Sequence, residues 1–219
     1  MDIDWDACLD KITRTLSQAK GGLPSVSIIA SRDNDPFRVL VSTLISLRTK
    51  DDVTLAASER LFALADTPQI MVTLSPQVIE QAIFPAGFYR VKARNILEVS
   101  RLLIENHDGQ VPCEREQLLA LPGVGVKTAN LTLNLGFAIE AICVDTHVHR
   151  ISNRLGWIHT RTPEESEKAL ERIMPRRHWI PLNELLVTFG QQVCKPVSPL
   201  CSRCLCRVGC PREGVVYSR

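Results

Sequence analysis

The residues with the most chemical potential lie in three short stretches of this 219-residue chain. The first is Leu121-Pro122-Gly123-Val124-Gly125-Val126-Lys127-Thr128-Ala129. Two glycines one residue apart allow a tight backbone turn, and their amides can approach an anion with no Cβ in the way. A helix starting directly after them would aim its N-terminal N–H groups and the positive end of its dipole at the same point, which suits a phosphate. Such a contact through Gly123, Gly125, Val126 and Thr128 reads nucleic-acid backbone, not base sequence. A ligand-free corner between two helices would use the same glycines. A dinucleotide loop is disfavoured, because no strand precedes them and the third glycine is missing. Lys127 falls in the first turn of the new helix, where an ammonium ion is poorly placed for helix stability. It is better placed for a reaction that needs a neutral amine nucleophile.

The second stretch is Ile142-Cys143-Val144-Asp145-Thr146-His147-Val148-His149-Arg150, with Asp145 eighteen residues beyond Lys127. An aspartate before the apolar series Val148, Ile151, Leu155 reads as an ordinary helix N-cap. The same carboxylate, ionised at neutral pH, can also orient water or stabilise a developing cation. The third stretch holds five of the eight cysteines between positions 194 and 210. Cys194, Cys201, Cys204 and Cys210 are separated by six, two and five residues, and Pro196, Pro199 and Pro211 interrupt helix formation among them. Clustered cysteines of this kind point to a metal site, and four thiolates suit tetrahedral zinc or an iron–sulfur cubane. Cys206 is a spare or a substitute ligand. Cys8, Cys113 and Cys143 read as small buried hydrophobes.

The elements that must position these groups are helical. Asp35-Pro36 and Ser75-Pro76 pair an N-cap with proline at the first helical position. Phe37, Leu40, Val41, Leu44 and Ile45 follow the first pair on one face; Val78, Ile79, Ala82 and Ile83 follow the second. Thr162-Pro163-Glu164-Glu165 is a capping box leading into Ala169, Leu170 and Ile173. An apolar face from Asn183 to Phe189 is expected to stop at Gly190. With no sustained two-residue alternation, the fold class is all-α.

Composition narrows the function classes. At 45% hydrophobic residues the chain can build a core. No apolar run is long enough to span a bilayer. The acidic start Met1-Asp2-Ile3-Asp4-Trp5-Asp6 is unlike a secretory leader, so the expected location is intracellular, cytoplasmic or with the nucleoid. Net charge is only +2, so any nucleic-acid contact must come from local clusters. Lys195, Arg203 and Arg207, beside or within the cysteine loops, are candidates for DNA-backbone contact.

On Leu-Pro-Gly-Val-Gly-x-Lys-Thr-Ala at 121–129, Val-Asp-Thr-His at 144–147 and the cysteine spacing, the chain resembles the endonuclease III family of helix–hairpin–helix DNA glycosylases, from about residue 36 to about 211. The resemblance implies a six-helix barrel domain over 29–139. It also implies a helical domain from 1–28 and 140–219 carrying a 4Fe–4S cluster on Cys194, Cys201, Cys204 and Cys210, in the loop 194–210. It implies a monomer with duplex DNA bearing a damaged base or abasic site as its partner, and no membrane. Lys127 would attack the sugar and Asp145 would assist, giving base release and strand cleavage by β-elimination. Oxidised pyrimidines would be the substrates. Arg48 and Phe88 would enter the duplex and His147 would lie near the flipped nucleotide. The family usually has glutamine where this chain has Arg48, and arginine there is similar to thymine-mismatch glycosylases, an alternative specificity. A non-catalytic DNA-binding cluster protein is a further alternative.

Overall fold

The computed structural model describes residues 3–19 and 21–219; Met1, Asp2 and Lys20 lie outside it, and with them the first two residues of the acidic N-terminal run. Among the described residues twelve α-helices follow one another: α1 Trp5–Ser17, α2 Ser25–Asp33, α3 Pro36–Ser46, α4 Asp51–Phe62, α5 Pro68–Met71, α6 Pro76–Ile83, α7 Tyr89–His107, α8 Arg115–Leu119, α9 Val126–Phe137, α10 Thr146–Arg154, α11 Pro163–Ile173 and α12 Trp179–Gln192. Among the described residues there is no strand. The helix starts follow from local chemistry. Asp35 Oδ1 accepts the Arg38 amide at 3.0 Å, and Ser75 Oγ accepts that of Val78 at 3.4 Å. Thr162 Oγ1 accepts the Glu165 amide at 3.2 Å, and Glu165 reaches back to the Arg161 amide at 2.8 Å, one residue earlier than a closed capping box would have it.

The chain divides into two compact units, one of residues 24–141 and one of residues up to 23 together with 142–219. In the first, α3 is buried on nearly every side and packs against α2, α4, α7 and α9. Phe37, Leu40, Leu44 and Ile45 meet Leu61, Ile79, Ile96, Leu103 and Leu133 there. Gly136 lets α9 lie close to α3, since a Cβ at that point would sit 2.9 Å from Pro36 Cα. Truncating a fully buried side chain such as Leu40 to alanine costs about 2–5 kcal/mol. In the second unit, α10 packs on α12, with α1 and α11 alongside. Ile12, Val148, Ile151, Leu182, Leu186 and Phe189 form its core. Trp5 stands edge-on to Trp157 at 5.1 Å and donates its indole N–H to Ile173 O at 3.1 Å.

Some expectations are corrected. Gly190 does not end its helix, because α12 continues to Gln192. The glycine is there for close packing, since a Cβ would meet His147 Nδ1 at 2.3 Å. Val78 and Ile173 are exposed, at the rims of their helices' apolar faces. Of the three isolated cysteines only Cys143 is buried; Cys8 is half-buried, and Cys113 is exposed in the surface connection between α7 and α8.

Candidate functional site

In the 24–141 unit, α8, a short turn and α9 form a helical hairpin. Leu121 and Val124 anchor the turn in the core, leaving Gly123 and Gly125 at the surface. Gly123 has φ +77°, and a Cβ on it would meet Asn95 Nδ2 at 2.4 Å, so backbone and space both demand glycine. Gly125 is different: its backbone is ordinary, and a Cβ would touch nothing within 4 Å. The α9 ladder begins with the Ala129 amide donating to Gly125 O at 2.9 Å, and no side chain caps the turn before it. This helix end therefore presents its positive pole toward the open side of Gly125. Lys127 is half-buried at the second position of α9; Val126 is half-buried, and the Thr128 side chain is buried, so Thr128 can meet an anion only through its amide.

Arg48 and Phe88 come together in the same unit. Both are exposed, Phe88 to 62%, and the Arg48 guanidinium lies over the Phe88 ring at 5.5 Å. Both also occupy the left-handed backbone region, at φ +54° and +58°. For residues of this bulk such strain costs on the order of 1–3 kcal/mol each and persists only where surrounding structure imposes it. Close to both loops stands Lys92, a residue the sequence reading did not single out. Lys92 is only 6% exposed. Its ammonium donates to Ile45 O at 2.7 Å, Leu47 O at 2.6 Å and Thr49 Oγ1 at 2.8 Å. Thr49 Oγ1 in turn accepts the Gly87 amide at 3.0 Å. Burial pushes the Lys92 ammonium down to about 8.

In the second unit, Asp145 is the N-cap of α10, its Oδ1 accepting the amides of His147 at 2.8 Å and Val148 at 2.9 Å. Asp145 and His147 are both half-buried. Arg150, one turn on, contacts His147 Nδ1 at 3.2 Å and donates to Cys194 O at 3.1 Å.

Cys194, Cys201, Cys204 and Cys210 line one pocket, with Leu155, Phe189, Leu200, Arg154 and Arg207 on its walls. Arg154, buried on α10, donates to Cys194 Sγ at 3.7 Å, Lys195 O at 2.6 Å and Pro196 O at 2.7 Å. Burial pushes the Cys194 and Cys210 thiols up. Among the described residues no three His, Cys, Asp or Glu side chains converge tightly enough for a single metal ion. Cys206 is buried and is not on the pocket's wall, and its hydrogen bond to Cys204 lowers the Cys204 thiol to about 7. Arg203 and Arg207 are exposed, and Lys195 is half-buried.

Residues 41–176 match the HhH-GPD superfamily of base excision DNA repair proteins. The endonuclease III of Thermotoga maritima is 50% identical over 179 residues, covering 82% of this chain and 84% of that one. A trapped endonuclease III–DNA covalent intermediate superposes with a TM-score of 0.82 at 34% identity, covering 94% of each chain. A thermostable thymine-DNA glycosylase shares the fold, with a TM-score of 0.79 at 22% identity and 94% of each chain covered. Among the described residues, no helix is long and apolar enough to cross a membrane.

Proposed function

The chain belongs to the endonuclease III branch of the HhH-GPD superfamily of base excision DNA repair proteins, and from that membership we infer how its own residues carry out glycosylase and AP lyase chemistry. The observation that carries the mechanism is an amine, Lys127, on the first turn of a helix whose uncapped end opens beside Gly125. A phosphate of the damaged strand binds that helix end through the amides of Gly123, Gly125, Val126 and Thr128. Lys127 Nζ bonds to C1′ as the bond from C1′ to the base breaks, and the bonding pair leaves with the base, which gains a proton. Sugar-ring opening gives a Schiff base. Loss of a C2′ proton then expels the 3′ oxygen and cuts the strand. Asp145 contributes a carboxylate that takes the amine's proton or offsets positive charge on the sugar. Arg48 and Phe88 fill the space left by the flipped nucleotide, with His147 beside it.

Four thiols around one pocket, with arginines and apolar side chains between them and, among the described residues, no carboxylate or imidazole on the wall, fit a 4Fe–4S cluster held by Cys194, Cys201, Cys204 and Cys210. When bound, such a cluster cross-links the proline-broken segment 194–210, fixing Lys195, Arg203 and Arg207 for contact with DNA phosphates. We take the 24–141 unit to be the barrel domain and the other to be the cluster domain, acting as a monomer on duplex DNA inside the cell.

Oxidised pyrimidines are the proposed substrates; arginine at position 48, where the family usually has glutamine, gives mispaired thymine as a second reading. Borohydride trapping on duplexes carrying thymine glycol, an abasic site or a G·T mismatch tests both. A cross-linked adduct that disappears in Lys127→Ala is expected. Damaged duplexes bound without any adduct would refute the mechanism, and adducts on G·T alone would change the substrate.

A further inference from the structure

A buried lysine without a carboxylate partner is uncommon, and Lys92 is placed where two separate loops meet. Its three N–H donors are matched by three oxygens: Ile45 O and Leu47 O at the C-terminal end of α3, and Thr49 Oγ1 beyond it. The exposed carbonyls of a helix C-terminus form its negative pole, which substitutes for a counter-ion. The loop so gripped carries Arg48 between Leu47 and Thr49. The same Thr49 hydroxyl holds the Gly87 amide, one residue before Phe88, at 3.0 Å. The two loops are also in van der Waals contact, because a Cβ at Gly87 would lie 2.5 Å from Arg48 O. Lys92 thus closes a chain of hydrogen bonds with one strained tip at each end.

We propose that Lys92, through Thr49, is a positioning residue that locks the Arg48 and Phe88 loops together as one preformed wedge for opening duplex DNA. Neither residue touches the reacting sugar. The inference rests on the glycosylase reading above, and it separates duplex opening from chemistry. A stacked, paired lesion needs the wedge, because the base must be forced out of the helix. An abasic site in an unpaired bubble does not.

The test compares Lys92→Met and Thr49→Val with the cluster-loaded wild type on two substrates. One is thymine glycol paired with adenine in a continuous duplex; the other is an abasic site within a mismatched bubble. Single-turnover excision of the paired lesion should fall at least about tenfold in both variants, while borohydride trapping on the bubble stays within about threefold of wild type. A 2-aminopurine opposite an abasic site in a continuous duplex should brighten when wild type binds and stay dim at saturating Lys92→Met. Thr49→Val conserves side-chain volume and settles the matter if Lys92→Met does not fold. Equal losses on both substrates would mean general damage and would overturn the proposal, as would no loss on either. If wild type traps neither substrate, the glycosylase reading itself fails and takes this inference with it.

Discussion

Replacing Asp145 with asparagine separates two jobs that one carboxylate performs. Oδ1 of Asp145 accepts both the His147 and Val148 amides, so the side chain is a complete N-cap for α10. Asparagine caps a helix about as well as aspartate. Asp145→Asn keeps an acceptor in that place and removes only the charge, losing about 0.3–1 kcal/mol of interaction with the helix dipole. In a protein of this size that lowers Tm by about 1–4 °C. Asp145→Ala also leaves two amides without their acceptor and costs up to about 2 kcal/mol. If the carboxylate moves a proton or steadies charge on the sugar, asparagine should slow base removal by about 10²–10⁴, or about 3–5 kcal/mol of barrier. The functional loss then exceeds the structural one several-fold. The assay pairs thermal denaturation with single-turnover excision of thymine glycol from duplex DNA. Asparagine excising within about threefold of wild type, or activity tracking Tm across the asparagine and alanine variants, would show that Asp145 is only a cap.

The two hairpin glycines should behave in opposite ways. Gly123→Ala, strained by φ +77° and pressed on Asn95, should destabilise by roughly 1–3 kcal/mol in urea titration. Gly125→Ala should leave stability within about 0.5 kcal/mol but weaken duplex binding in a filter or anisotropy assay, with a smaller salt slope; unchanged binding would remove the phosphate from that turn. Gly190→Ala should destabilise by displacing His147 and Arg150, read as a lower urea midpoint. For Lys92 the folded group titrates near 8 and the free one near 10.5, so the unfolded chain holds more protons in between. Stability contributed by this group is therefore flat below about 8 and rises with pH up to about 10.5, by at most about 3 kcal/mol. The stability of wild type relative to Lys92→Met should increase between pH 7 and 9.5, and a constant difference would contradict the burial of the ammonium. Cys204→Ser should lose iron and visible absorbance and loosen residues 194–210 to proteolysis; full iron content would make Cys204 no ligand.

Local chemistry was legible and tertiary contact was not. Asp35, Ser75 and Thr162 announce their helices because a cap is settled within three residues of itself. The all-α class follows from the same signals repeated along the chain. Gly190 was misread because a glycine after an apolar face looks the same whether the helix stops or another helix presses on it; the His147 and Arg150 side chains, forty-three and forty residues away, decide. Lys92 gave no signal at all. A lysine one turn into a helix ordinarily points at water, and its acceptors come from a loop more than forty residues earlier. Cys113 and Cys143 have equally bland surroundings in sequence, yet one lies in a surface connection and the other in a core.

The unit assembled from both ends of the chain imposes a timetable on synthesis. α1 emerges from the ribosome early, but its indole partner at Ile173 and the Leu205 amide that donates to Thr15 Oγ1 come 168 and 190 residues later. At about 5–20 residues per second, Trp5, Leu9 and Ile12 wait roughly ten to forty seconds for their neighbours. The 24–141 unit, continuous in sequence, can close during that interval. A nascent chain stalled before residue 173 would thus expose a greasy helix to chaperones while its other half is already native.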